Sequence, residues 1–166
     1  MASDAGTPDR TEPAASPTDT AEVDVAAAPE TVWDLVADVT RMGEWSPECY
    51  RCTWLDGGTG PREGARFKGW NRQDLGPLPV RWTTTSTVVE AVRGEVFSFT
   101  TKTSGATWTY RFTATPDGGT HVVETRTDGT KPLIARVFNA VMPRRGEILV
   151  EGMHETLRRI KAAAEG

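Results

Sequence analysis

Apolar and polar positions along the chain fall into three successive patterns. Val23-Asp24-Val25 alternates as a short strand. Pro29 then stands where the first turn of a helix tolerates proline, with Glu30 near the positive end of that helix. Val32, Trp33, Val36 and Val39 lie on one helical face, and a second short helical piece spans Arg41–Trp45 before Ser46-Pro47 ends it. From Cys49 to Thr130 the pattern is that of strands. Tyr50–Leu55, Ala65–Asn71, Arg81–Val92, Val96–Thr103, Thr107–Ala114 and Thr120–Thr127 are rich in Val, Thr, Trp and Phe. Turn chemistry separates them: Asp56-Gly57-Gly58, Gly76-Pro77-Leu78-Pro79, Arg93-Gly94, Ser104-Gly105 and Pro116-Asp117-Gly118-Gly119. After Lys131-Pro132 the helical period returns. Leu133, Ile134, Val137, Phe138, Val141 and Met142 form one stripe; Leu149, Met153, Leu157 and Ile160 form a second, with a kink or break expected at Pro143 and Gly146.

No helix-length spacer interrupts the strands, so consecutive strands pair antiparallel. Fifteen threonines between residues 81 and 130 favour a sheet with one solvated face. Pairing Thr115 with Thr120 across the Pro116–Gly119 turn sets Trp108, Tyr110 and Phe112 on one face with Thr127, Thr125 and Val123. The opposite, solvent face then carries Thr109, Arg111 and Thr113 against Arg126, Glu124 and Val122, with Arg111 across from Glu124. Phe97, Phe99 and Thr101 extend the inner face, as do Trp82, Thr84, Ser86 and Val88. Bulky aromatics alternate there with hydroxyls, which is the makeup of a small-molecule pocket of ~300–1,000 Å³. A fully packed sheet-on-helix core would carry the same residues.

Residues 1–22 hold three prolines and five acids with no bulky apolar residue beyond Met1, and are expected to form a disordered extension. Residues 23–166 form the folded unit. With Lys plus Arg at 19 and Asp plus Glu at 23, the net charge of −4 offers no basic footprint for nucleic acid. No apolar run approaches the ~18 residues that cross a bilayer, and no basic start precedes an apolar stretch, so a chain without transmembrane segment or secretory leader is expected. Two cysteines build no disulfide framework, which makes a reducing cytoplasm the expected location.

Motifs for chemistry are sparse. Cys49-Tyr50-Arg51-Cys52 has the spacing of half a zinc site or of a redox pair, but no second pair follows, and in an extended strand residues three apart point to opposite faces. The glycines at 57, 58, 60 and 64 lack the Gly-Lys-Ser/Thr of a phosphate loop. His121 and His154 stand at element edges. Tyr110 points inward, where its hydroxyl can meet a ligand oxygen or a backbone carbonyl. No inward carboxylate pair emerges, which argues against acid–base catalysis. Arg144-Arg145 stands ready to attract an acidic ligand tail.

The segments Pro29-Glu30-Thr31-Val32-Trp33-Asp34-Leu35-Val36-Ala37-Asp38, Met42-Gly43-Glu44-Trp45-Ser46-Pro47-Glu48 and Gly64-Ala65-Arg66-Phe67, in this order of elements, resemble the START/Bet v1-like (SRPBCC) superfamily. Within it, the polyketide cyclase/dehydrase and lipid-transport group is most similar, over about residues 20–163. The resemblance implies an α+β helix-grip fold: a seven-stranded antiparallel sheet wrapped around a long C-terminal helix, with two short helices after the first strand and an apolar cavity between sheet and helix. It also implies that Gly76-Pro77-Leu78-Pro79 occupies the place of a gating loop. Such members include ligand carriers, hormone receptors, aromatic cyclases and co-chaperone-like proteins, so fold alone leaves the chemistry open. The expected function is binding or transport of a hydrophobic or aromatic small molecule, lipid or polyketide-like. A polyketide cyclase/dehydrase-type enzyme and a co-chaperone-like interaction module are the alternatives. Trp82, Phe99, Trp108, Tyr110, Phe138, Met142, Leu149 and Met153 are the expected pocket lining, with Trp45 and Leu78 at the entrance. No cofactor or metal is expected, and the chain is expected to be a monomer or homodimer.

Overall fold

Valine- and threonine-rich segments pair side by side along almost the whole middle of the chain, and an amphipathic helix near the C-terminus lies over the face they make. The structure is a computed structural model that describes residues 19–75, 78–129 and 144–166, with Leu75 and Leu78 described by backbone alone. Its strands are β1 (Asp19–Val25), β2 (Cys49–Trp54), β3 (Arg66–Leu75), β4 (Leu78–Val92), β5 (Val96–Thr101), β6 (Thr107–Ala114) and β7 (Thr120–Thr127). Helices α1 (Pro29–Ala37) and α2 (Met42–Trp45) follow β1, joined by the 3-10 turn Val39–Arg41, and the last helix, α3, spans Arg145–Glu165. The seven strands form one sheet in the order β1-β7-β6-β5-β4-β3-β2, every pair antiparallel. This is the α+β helix-grip architecture expected from the resemblance.

Side chains of period 3.6 seat the helices. Val32, Trp33, Val36 and Ala37 are the buried residues of α1, each large aliphatic contributing ~1.5–3 kcal/mol by leaving water. The Trp33 indole N–H donates to the Val96 carbonyl at 2.9 Å, and its ring meets Phe97 edge-on at 6.3 Å. Met153, Thr156, Leu157 and Ile160 are the buried residues of α3. The far end of α3 is tied down through its polar side: the Ala26 N–H donates to Glu165 Oε1 at 2.7 Å, and Lys161 donates to the Asp24 carbonyl. Bidentate hydrogen bonds from Arg93 to Asp34 hold α1 to the β4–β5 turn.

Three local features depart from the sequence expectation. β1 begins at Asp19, four residues before Val23, because Asp19 pairs with Arg126 on β7 and Ala21 adds one more inward position. Leu75 pairs with Leu78 and Asp74 with Pro79, so Leu78 and Pro79 belong to β4 rather than to a loop. The third departure moves a whole face. Ala114 pairs with Thr120, and Thr115 N–H donates to the Gly119 carbonyl, leaving three residues in the β6–β7 turn instead of four. Gly118 at φ 84° supplies the left-handed residue that closes such a three-residue hairpin. One residue of slip inverts every β7 side chain. Thr120, Val122 and Glu124 are therefore buried, Tyr110 opposes Glu124, and Arg111 opposes Val123. The solvent face expected for Glu124 and Val122 is overturned, while the inward setting of Tyr110, Phe112, Phe97 and Phe99 holds. Residues 1–18, Gly76-Pro77 and the helical stripe at 133–142 lie outside the described residues. Among the described residues no helix is long and apolar enough to cross a membrane.

Candidate functional site

Between the first half of α3 and the concave face of the sheet lies a cavity of about 810 Å³. Its apolar wall is built from alternate positions on the central strands: Phe67 on β3, Trp82 on β4, Phe99 on β5 and Trp108 on β6. Helix α3 supplies Ile148, Leu149 and Met153, and Met42 closes one side from α2. Phe67 and Phe99 meet edge-on with ring centres 5.1 Å apart. Of the expected lining residues, Trp82, Phe99, Trp108, Tyr110, Leu149 and Met153 all face this cavity. Phe138 and Met142 lie outside the described residues, as does the side chain of Leu78.

Trp45 is placed elsewhere. It is buried in the core, its indole N–H donating to the Leu35 carbonyl at 3.3 Å and its ring lying 4.7 Å beneath the Arg41 guanidinium. Met42 at the start of α2 and Ser46 just past its end line the cavity, whereas Trp45 does not. Neither histidine lines the cavity: His154 is exposed on α3, and His121 sits 2.7 Å from Asp24 on the outer face. Arg144 pairs with Glu147 on the surface, while Arg145 forks onto Glu48 at the cavity wall with its guanidinium 5.4 Å from the Trp82 ring. The arginine expected to attract a ligand acid thus already holds an internal one.

The polar part of the wall is a set of side-chain pairs. Asn71 donates to Thr84 Oγ1 at 3.3 Å, and Ser86 and Thr101 share a hydrogen bond at 3.2 Å. The pair with most chemical consequence is Tyr110 and Glu124, which the register slip places directly opposite each other. The Tyr110 hydroxyl donates to Glu124 Oε1 at 2.7 Å, with Tyr110 at 3% exposure and Glu124 at 2%. Glu124 Oε2 has no hydrogen-bond partner among the described residues, and Glu124 lines the cavity. Burial disfavours the carboxylate and pushes the Glu124 pKa up to about 8, against a smaller lowering by the Tyr110 hydrogen bond. Burial together with the neighbouring Glu124 charge pushes the Tyr110 hydroxyl well above its ordinary value. At neutral pH Glu124 is therefore mainly a neutral acid. One of its oxygens accepts from Tyr110, and the other is buried without a hydrogen-bond partner among the described residues. The sequence carried a signal for this: a glutamate flanked by Val122-Val123 in a strand otherwise short of acids. It was obscured by a turn counted one residue too long.

The Cys-x-x-C pair also moves into view. A β-bulge between Cys49 and Arg51 takes Tyr50 out of the ladder, so Cys49 and Cys52 point to one face instead of opposite ones. Their sulfurs are 3.4 Å apart and both line the cavity. Among the described residues no group of three or more His, Cys, Asp and Glu side chains is arranged to hold a metal ion.

Comparison with known proteins places this geometry in a lineage. The family model described as polyketide cyclase / dehydrase and lipid transport matches residues 18–165. No curated protein matches the chain. Among solved structures, a polyketide-cyc-like protein from Corynebacterium glutamicum is 31% identical, with a TM-score of 0.56 over 87% of this chain and 88% of that one. A protein from Chromobacterium violaceum superposes with a TM-score of 0.64 at 17% identity, over 89% of this chain and 96% of that one. The di-domain ARO/CYC protein StfQ from the steffimycin biosynthetic pathway superposes with a TM-score of 0.61 at 21% identity; the match covers 88% of this chain and 49% of that chain.

Proposed function

The chain belongs to the polyketide cyclase/dehydrase and lipid-transport family, and from that premise we propose that its cavity binds a hydrophobic or aromatic small molecule, of lipid or polyketide-like class, between the sheet and α3. The observation that carries this reading is the cavity of about 810 Å³ itself, faced by Trp82, Phe99, Trp108, Leu149 and Met153. That volume lies within the ~300–1,000 Å³ of small-molecule sites. Apolar surface covered by a ligand contributes ~25 cal/mol per Å², and the few polar pairs fix orientation. Tyr110 serves that orientation indirectly. Its hydroxyl is committed to Glu124, so the polar group assigned to the ligand is Glu124, whose Oε2 is buried and has no hydrogen-bond partner among the described residues. The ligand this favours has an apolar body with one carbonyl or hydroxyl oxygen deep inside it.

Native mass spectrometry of the purified chain, followed by denaturing extraction, tests the proposal. A stoichiometric lipid or aromatic adduct is expected. Clean apo protein that also fails to retain an added panel of fatty acids and polycyclic phenols overturns it.

A second reading, an enzyme of the cyclase or dehydrase type, draws support from the same unpartnered oxygen. A neutral carboxyl on the wall of the cavity can polarise a ligand carbonyl or protonate a departing hydroxyl, as general acid catalysis requires. Conversion of a bound poly-β-ketone by the wild-type chain, lost in Glu124→Gln, is the result this reading expects. Binding without conversion returns the protein to the carrier reading.

A further inference from the structure

The Cys49–Cys52 pair packs at the edge of the core and has no part in the proposed ligand contacts, yet four separate features set it apart. The bulge at Tyr50 turns both side chains to the cavity side. Cys52 lies directly across from Gly69 on β3, and a Cβ there would stand 3.3 Å from Cys49 Sγ, 3.5 Å from Cys52 Sγ and 2.9 Å from Thr84 Oγ1. The missing side chain is therefore what leaves room for the two sulfurs side by side. Those sulfurs are 3.4 Å apart, against about 2.05 Å in a disulfide, a gap that small side-chain rotations can close. Finally, the pair is asymmetric. Cys52 is buried at 4% exposure, while Cys49 is half-buried at the wall and receives the hydrogen bond that favours its thiolate.

We propose that Cys49 and Cys52 are a thiol–disulfide centre on the cavity wall, with Cys49 as the attacking sulfur and Cys52 as the resolving one, acting on small-molecule disulfides that enter the cavity. The Cys49 thiolate attacks one sulfur of R–S–S–R, forming a Cys49–S–S–R bond and releasing R–S⁻, which takes up a proton. Cys52 then gives up its proton and attacks the Cys49 sulfur, forming the Cys49–Cys52 disulfide and releasing the second R–S⁻. The net change is two thiols and one external disulfide converted to one internal disulfide and two R–SH. The shifts of the two thiols agree with this order: the Cys52 hydrogen bond lowers Cys49, while the same contact and burial raise Cys52. These are the chain's two cysteines, so the products are unambiguous by mass. The proposal does not depend on which ligand the cavity carries.

The test uses the reduced full chain and glutathione disulfide as the probe, with iodoacetamide trapping and intact mass. Wild type is expected to lose two hydrogen atoms and both alkylatable thiols while remaining monomeric. Cys52→Ser, which cannot resolve, is expected to accumulate one glutathionyl group on Cys49; Cys49→Ser is expected to stay unmodified. Circular dichroism of both variants confirms that they are folded. Unreacted wild type, a disulfide-linked dimer, or an adduct that forms on Cys49→Ser but not on Cys52→Ser overturns the proposal.

Discussion

Helix α3 lies over two ends of one sheet, and the two ends are filled differently. At its C-terminal end Leu157 and Ile160 join Val32 and Val36 of α1, Phe97 of β5 and Val122 of β7 in the buried core; none of these six lines the cavity, although the same core runs on through Phe67, Phe99, Tyr110 and Met153 into its wall. At its N-terminal end Leu149 and Met153 face the cavity, and Gly146 and Gly152 present no side chain toward it. The sheet changes in step. Inward positions carry Phe97, Phe112 and Val122 away from the cavity, and Ser86, Thr101, Trp108 and Glu124 along it. A packed core and a cavity thus share one helix and one sheet. What separates them is where hydroxyls and glycines replace branched aliphatics. The closed end supplies stability, which lets the open end carry unfilled space and a buried acid.

The largest expected effect separates the ends directly. Leu157→Ala deletes a fully buried side chain from the closed end and is expected to lower stability by ~2–5 kcal/mol in urea unfolding. Leu149→Ala enlarges a space that already exists and is expected to cost about 1 kcal/mol or less. Titration with the apolar dye 1-anilinonaphthalene-8-sulfonate should rank the two variants in the opposite order, with Leu149→Ala the more altered. Equal costs for the two substitutions would dissolve the distinction between core and site.

The second effect sharpens the comparison by pH. Glu124 holds its proton up to about pH 8 in the folded chain, whereas an exposed glutamate releases it near 4.5. Between those values the native state binds the extra proton, so stability falls as pH rises, by up to about 1.4 kcal/mol per unit. The contribution is intact below the unfolded value and is lost progressively up to about pH 8. Glu124→Gln cannot titrate, and groups common to both proteins cancel in the difference. The stability gap between wild type and Glu124→Gln should therefore swing by about 3 kcal/mol toward the variant from pH 5 to pH 8. Parallel pH profiles would mean that Glu124 is ionised and solvated.

How far this site could be read in advance depended on counting residues between strands. Periodicity located α1, the seven strands and the far half of α3, because alternation and the 3.6 repeat are imposed by burial over many residues. It also brought Trp82, Phe99, Trp108 and Tyr110 to one face, since the one irregularity among their strands falls after Val88, beyond the Trp82–Val88 run whose parity places Trp82. The residues missed all stand beside one-residue irregularities. Glu124 follows a three-residue turn that hinges on Gly118, and Cys49 precedes a bulge at Tyr50. Period-2 reasoning has no memory across such a defect, so a single extra or missing residue reverses the face of everything beyond it. Trp45 failed for a different reason: one helical turn carries too few positions to define a face.

The smallest effect tests whether Tyr110 and Glu124 act as a unit. Tyr110→Phe removes the hydroxyl and keeps the ring, so the buried packing of Tyr110 survives. Losing the hydrogen bond between two buried groups should cost about 1–2 kcal/mol at pH 6. The hydroxyl also steadies the Glu124 carboxylate, lowering a pKa that burial raises. Without it the folded-state value rises further, so the loss of stability with pH should extend to higher pH than in wild type. In Glu124→Gln the amide oxygen still accepts from Tyr110 but no longer titrates. The added Tyr110→Phe change should then lower stability by an amount that does not vary with pH. A pH-dependent cost for Tyr110→Phe in the Glu124→Gln background would assign the alkaline limb to Tyr110 itself and remove Glu124 as the acid of the cavity.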